Sequence, residues 1–182
     1  MIFKETKLKG AYIIEIEPIE DERGFFARSF CEEEFKEHGL NPHIAQCNIS
    51  YNEKKGTLRG MHYQVAPYEE AKLLHCTKGA IYDVIIDLRP DSPTFKQWVA
   101  TELAVDNHRI LYIPEGVGHG FQTLKDHTVV FYQISEAYHP ECSRGVGWDD
   151  PSFRIKWPLE PILLSSRDRS FKLFRDDVNG ME

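Results

Sequence analysis

The chain has 182 residues, 41% of them hydrophobic and 12% aromatic, with a formal net charge of −7. That length and apolar content fit one globular domain with a real core and exclude a disordered chain. The acidic balance excludes a general nucleic-acid binder, which needs a basic stripe; no apolar run is long enough to span a bilayer, and MIFKETKLKG has no signal-peptide core, so the expected location is the cytoplasm, with no membrane partner.

In chain order, residues 11–17 (AYIIEIE) alternate as a first strand ended by Pro18. In DERGFFARSF (21–30), Asp21 and Gly24 mark a turn, after which Phe26, Arg28 and Phe30 fall on one face. EEEFKEH (32–38) reads as a short helix, acidic at its start and closed by Gly39. HIAQCNIS (43–50) is a strand candidate carrying Gln46 and Asn48 on one face. GTLRGMHYQVAPYEEAK (56–72) then gathers Arg59, His62, Tyr63, Gln64 and Lys72; residues 58–64 alternate as one strand, with Leu58, Gly60, His62 and Gln64 on one face. Lys72 opens the next strand, KLLHC. AIYDVIIDL (80–88) has the β-branched richness of a buried strand, QWVATELAV (97–105) alternates again, and ILYI runs into Pro114. EGVGHGFQTL sets three glycines around His119, and TVVFYQIS is a further strand with Val130, Tyr132 and Ile134 on one face. From Tyr138 onward turn signals dominate, and LSSRDRSFKLF ends the ordered part before an acidic tail expected to be loose.

Many short strands, Gly/Pro turns and at most two short helices indicate an all-β sandwich or barrel. A jelly roll and an immunoglobulin-like sandwich both fit, though the second lacks its Cys…Trp…Cys arrangement. One domain over 1–182 is expected, with a C-terminal segment from about 139 packing on the barrel. Cys31, Cys47, Cys76 and Cys142 stand apart as ordinary thiols. A metal site is not expected: the HxH pair of small metal-binding barrels is missing, since Gly60 and Gln64 flank His62 at the positions two away.

Inward-facing His62, Lys72, His119 and Tyr132 on different strands would meet in the interior of such a fold. A neutral imidazole beside a cation serves carbon-acid chemistry: the base takes a proton and the cation holds the oxyanion. Taken singly, each has a plainer reading: His62 as a hydrogen-bonded sheet residue, Lys72 as a snorkelling cation, Tyr132 as core packing and Asp168 in LSSRD as a turn residue. The functional reading of Asp168 is a carboxylate that orients a histidine. Arg23, Arg28, Arg59 and Lys72 would form an anion site if they converged.

The motifs DERGFF, GTLRGMHYQ, KLLHCTKGAIYDVIIDLRPDSPTF, IPEGVGHGF, YHPE, WDDPSFRIKWP and LSSRD, in this order and spacing, resemble the dTDP-4-dehydrorhamnose 3,5-epimerases over nearly the whole chain. The resemblance implies a cupin-like jelly roll, a homodimer, a nucleotide-diphosphate sugar substrate and no metal or organic cofactor. It implies His62 as the base, Asp168 as its orienting partner, Lys72 beside the 4-keto oxygen and Tyr132 as the acid on the other face. It makes His119, Arg59 and Arg23 contacts to diphosphate and sugar, places Gln46, Asn48 and Tyr138 around nucleotide and sugar, sets Phe26 near the base, and has the strand carrying Arg23 and Phe26 reach into the partner's site. Two departures bear on the nucleotide. Arg28 stands where many thymidine-specific members carry Glu, and Cys47 replaces an acidic residue between Gln46 and Asn48. Glu accepts from a nucleobase N–H whereas Arg only donates, so a CDP or GDP sugar, a monoepimerase and a non-catalytic sugar-nucleotide binding module stand as alternatives.

Overall fold

The computed structural model describes residues 1–174, so the acidic tail lies outside the described residues. β1 (Ile2–Glu5) and β2 (Tyr12–Glu15) are followed by a hairpin of β3 (Ile19–Asp21) and β4 (Gly24–Phe26), then α1 (Glu32–Glu37). β5 (Gln46–Asn52), β6 (Leu58–Gln64), β7 (Lys72–Lys78), β8 (Ala80–Asp87), β9 (Trp98–Ala104), β10 (Ile110–Ile113), β11 (Val117–Thr123) and β12 (Thr128–Ile134) supply most of the remaining structure. β13 (Ser143–Gly145) and α2 (Ser166–Ser170) lie in the C-terminal segment.

Two antiparallel sheets face each other, ordered β1-β2-β10-β7-β12-β5 and β13-β6-β11-β8-β9. Neighbours in space are mostly distant in sequence, the wiring of a jelly roll, and the fold is an all-β, cupin-like one with two short helices. Leu74, Ile81, Ile85, Leu111, Phe121 and Val130 fill the space between the sheets. β8 is mostly apolar because it is covered twice: Ile81 and Ile85 face that core, while Val84 and Ile86 meet Val146 and Phe153 of the C-terminal segment. On the outside of the six-stranded sheet, Phe35 of α1 packs with Leu40, Leu73 and Tyr112. α1 ends as its sequence dictates. Gly39 takes φ +69, and the Leu40 N–H donates to the Phe35 carbonyl at 2.9 Å, closing the helix over an apolar contact.

Two expectations change. β4 stops at Phe26, so Phe26, Arg28 and Phe30 share no face: Phe26 is 74% exposed on the hairpin, while Phe30 folds back onto Phe35 at 4.9 Å between ring centroids. His119 lies on a strand as expected, the fully buried β11. Strict alternation in β6 also fails. His119 pairs with His62, yet Phe121 pairs with Arg59, so β6 carries one extra residue, a β-bulge. The bulge carries Arg59 to the same wall as His62 and Gln64.

The bulge depends on the missing side chains at Gly60 and Gly120. Gly60 has φ +134, and a Cβ there would lie 2.4 Å from the Gly120 Cα and 3.0 Å from the His119 carbonyl oxygen. Both neighbours are backbone and cannot step aside. Gly60→Ala is therefore expected to cost about 3 kcal/mol through strain and overpacking, read as a lower urea midpoint at unchanged slope.

Candidate active site

A cavity of about 510 Å³ opens between the two sheets, a volume suited to a small-molecule ligand. Each sheet supplies one wall. β6 and β11 contribute Arg59, His62, Gln64 and His119; β5, β7 and β12 contribute Gln46, Asn48, Lys72 and Tyr132. The ladders fix their spacing: His62 lies opposite His119, Tyr132 opposite Asn48, and Lys72 opposite Ile134. Tyr138 sits at the rim, half exposed, its N–H donating to Gln46 Oε1 at 3.2 Å.

His62 owes its geometry to the C-terminal segment. Its Nε2 is 2.7 Å from Asp168 Oδ1, and the Gly60 N–H donates to Asp168 Oδ2 at 3.4 Å. Asp168 is held by α2, whose N-cap Ser165 accepts from the Asp168 N–H at 3.0 Å. Burial pushes the Asp168 carboxyl up, but hydrogen bonding and the charge of His62, with the Gly60 N–H, outweigh it and hold the group below its usual range. An ionised Asp168 accepts a hydrogen bond from the Nε2–H, which keeps the proton on Nε2 and leaves the Nδ1 lone pair for the cavity. Phe171 packs edge-on to the His62 ring at 5.7 Å, over Gly145.

A second pair stands beside the first, with the opposite electrostatics. His119 Nε2 lies 2.9 Å from Asp83 Oδ2, and Asp83 is fully buried with Oδ1 unpartnered. Here burial dominates and pushes the Asp83 carboxyl up, against the opposing pull of His119 and Lys72. Lys72 is buried; its Nζ donates to the His62 carbonyl at 3.2 Å and lies 2.9 Å from Glu70. Arg59 is braced by Asn52, Nε to Oδ1 at 2.7 Å. Burial raises the Tyr132 phenol, Arg59 lowers it and Glu70 raises it; the net shift is upward, so the phenol holds its proton at neutral pH.

A base on one wall, with a protonated phenol and an ammonium on the other, can remove a proton from a carbon acid and return one to the opposite face. Residues 5–176 match the sequence profile described as dTDP-4-dehydrorhamnose 3,5-epimerase. The chain belongs to that family. The enzyme of that name from Methanothermobacter thermautotrophicus is 42% identical over 178 residues, covering 96% of this chain and 95% of the relative. The crystal structure of dTDP-4-dehydrorhamnose 3,5-epimerase from Bacillus anthracis, with TDP and PPi bound, superposes with a TM-score of 0.91 at 42% identity, covering 95% of this chain and 99% of that one. That of the 3,5-epimerase from Legionella pneumophila, in complex with dTDP-4-keto-L-rhamnose, gives 0.88 at 38% identity, covering 94% and 92%.

Within this epimerase fold, His62, Lys72, Tyr132, Arg59, His119, Gln46, Asn48 and Tyr138 converge on one cavity, with Asp168 behind His62. Arg23, Phe26 and Arg28 do not join them. Arg23 is 85% exposed and paired with Asp21, and Arg28 is paired with Glu34 at 2.7 Å, so the expected four-cation anion site reduces to Arg59 and Lys72. The hairpin projects away from its own cavity, and its cations find carboxylates nearby instead. Four lining or supporting residues escaped the sequence reading: Asp83, Glu70, Ser143 and Arg167. Asp83 had a legible signal, a lone acid in the middle of an apolar strand. Arg167 had adjacency to Asp168.

Asp168→Asn leaves the hydrogen-bond shape but removes the charge that selects the tautomer. Turnover is expected to fall roughly 10²–10⁴-fold with the melting temperature little changed, measured as kcat beside a thermal denaturation curve.

Proposed function

We propose that the chain is a cofactor-independent epimerase converting dTDP-4-dehydro-6-deoxy-D-glucose to dTDP-4-dehydro-L-rhamnose by inversion at C3 and C5. The observation that carries this reading is the placement of the His62–Asp168 pair and of Tyr132 with Lys72 on facing walls of one cavity. A C–H next to a ketone is acidic only because its anion spreads onto oxygen. His62 Nδ1 takes the proton, Lys72 holds the enolate oxygen, and Tyr132 delivers a proton from the other side, which inverts the carbon. C3 and C5 both flank the C4 ketone, so one oxyanion site serves both. Solvent restores His62 and Tyr132 between events. Arg59 and His119 take the diphosphate and sugar, while Gln46, Asn48 and the half-exposed ring of Tyr138 line the nucleotide end.

The working unit in this reading is a homodimer. Ile19 and Phe26 on the hairpin are 71% and 74% exposed, and Ile49 and Tyr51 on the edge strand β5 are 72% and 53% exposed. Side chains of that size and character in water mark an interface. A second copy covering β5 brings its hairpin, with Arg23, Phe26 and Arg28, to the cavity from which these residues are absent in a single chain.

In D2O, deuterium is expected at both C3 and C5 of the substrate, read by NMR, and His62→Ala is expected to slow this roughly 10³-fold while retaining nucleotide binding. Exchange at C3 alone makes the protein a monoepimerase, and a fully active His62→Ala variant overturns the mechanism. Light scattering should give twice the 21.2 kDa of one chain. Phe26→Asp should give monomers with reduced turnover; a fully active dimer of that variant sinks the role of the hairpin.

A further inference from the structure

Glu70 is an odd residue to find in a cavity meant for a diphosphate. Among the described residues lining the cavity it alone is acidic, against Arg59, Lys72 and Arg167. It is not a solvated rim charge: its side chain is 10% exposed and that of Lys72 8%, with Nζ and Oε1 2.9 Å apart. Desolvating a carboxylate where it also repels an anionic substrate is unfavourable on both counts, so the position is informative.

The geometry around Lys72 supplies a reason. An ammonium has three N–H donors on a flexible stem. One reaches the His62 carbonyl at 3.2 Å, on the wall of the base. A second meets Glu70, on the loop two residues before Lys72 itself. Two anchors in different directions fix where the third N–H points. We propose that Glu70 is a positioning residue for Lys72: with the His62 carbonyl it locks the ammonium so that its remaining N–H stands at the oxyanion position, and it offsets the cation until substrate enters. The inference rests on the epimerase reading above and names what aims its electrophile.

The same carboxylate acts on the acid, Tyr132, which shares a wall with Lys72 on the neighbouring strand. Tyr132 is faced by Arg59 from β6 and by Glu70 from the β6–β7 loop, with the His119–Asp83 and His62–Asp168 pairs on the opposite wall. Burial raises its phenol most; of the charges that act on it, Arg59 lowers it and Glu70 raises it, with Lys72 on the paired strand β7. Removing the Glu70 charge therefore lowers the phenol, and the alkaline limb of the rate profile, where the acid is lost, moves to lower pH.

The test is steady-state kinetics against pH for the parent, Glu70→Gln and Glu70→Asp. Glu70→Gln keeps the shape and an acceptor for Lys72, so folding is expected to survive. Its kcat should fall roughly tenfold with KM unchanged or lower, and its alkaline limb should move to lower pH. Glu70→Asp keeps the charge but not the reach: its limb should sit at the parental pH while kcat stays reduced. A Glu70→Gln enzyme with parental kcat and limb overturns the proposal, as does one whose only change is a raised KM, the mark of a plain wall residue. Should Glu70→Gln fail to fold, Glu70→Asp decides alone, reduced kcat at a parental limb supporting the proposal and parental kcat overturning it. A parent protein that exchanges neither C3 nor C5 brings down the functional reading instead, and this inference with it.

Discussion

The contact between two backbones at Gly60 and Gly120 is the constraint on which the cavity depends. A β-ladder normally sends every second side chain to the same face. The His62 imidazole, the Arg59 guanidinium and the His119 imidazole cannot all be set on one wall at this spacing by alternation alone. The extra residue of β6 solves this by letting Arg59 and His62 share a face although they are three apart, while His62 stays in register with His119. The bulge in turn needs the strands to approach more closely than any Cβ allows. Asp168 closes the arrangement by binding both the Gly60 N–H and the His62 ring. The C-terminal helix therefore reads the bulge and the base together.

Two Asp–His pairs sit on that wall, and their surroundings push them apart. Asp168 is buried but takes hydrogen bonds from a ring N–H and a backbone N–H, and these win over burial. Asp83 is buried more completely, has one oxygen without a partner, and burial wins. Equal residue types thus reach opposite protonation tendencies through desolvation and hydrogen-bond supply alone. The carboxylate behind His62 is thus held toward its charged form and the one behind His119 toward its neutral form.

Much of this was legible before any coordinates. Strand positions followed from period-two patterning and β-branched runs, and β5, β7, β8, β9, β10 and β12 lie where those patterns place them. Gln46 with Asn48, and Val130 with Tyr132 and Ile134, fall on common faces because the register is continuous over those residues, the one shift in the β12–β7 ladder lying before Val130. Alternation alone sets Arg59 on the face opposite His62, because a bulge is a pairing defect between two distant segments and one strand read alone cannot reveal it. In β11 a glycine serves the same close approach, at Gly120 against Gly60. Asp168 read as a turn residue because its partner lies 106 positions away. Glu70 and Asp83 matter through burial, which a polar residue's type does not announce.

The two departures in the nucleotide motif take on a definite meaning once placed. Cys47 points to the outer face of β5, away from Gln46, Asn48 and Ser50, so its replacement of an acid leaves this chain's own cavity untouched. Arg28 is tied to Glu34, with side chains 62% and 24% exposed, an ion pair of the weak, solvent-screened kind. A pair that weak holds Arg28 without committing it. Both residues lie on surfaces that a second copy would cover, one on β5 and the other just past the hairpin. Under the proposed function, chemistry and base preference separate physically: the His62–Asp168 pair and Lys72 are held inside one chain by buried contacts, while Arg28 and Cys47 sit on the exposed side, where the proposed dimer decides what they touch.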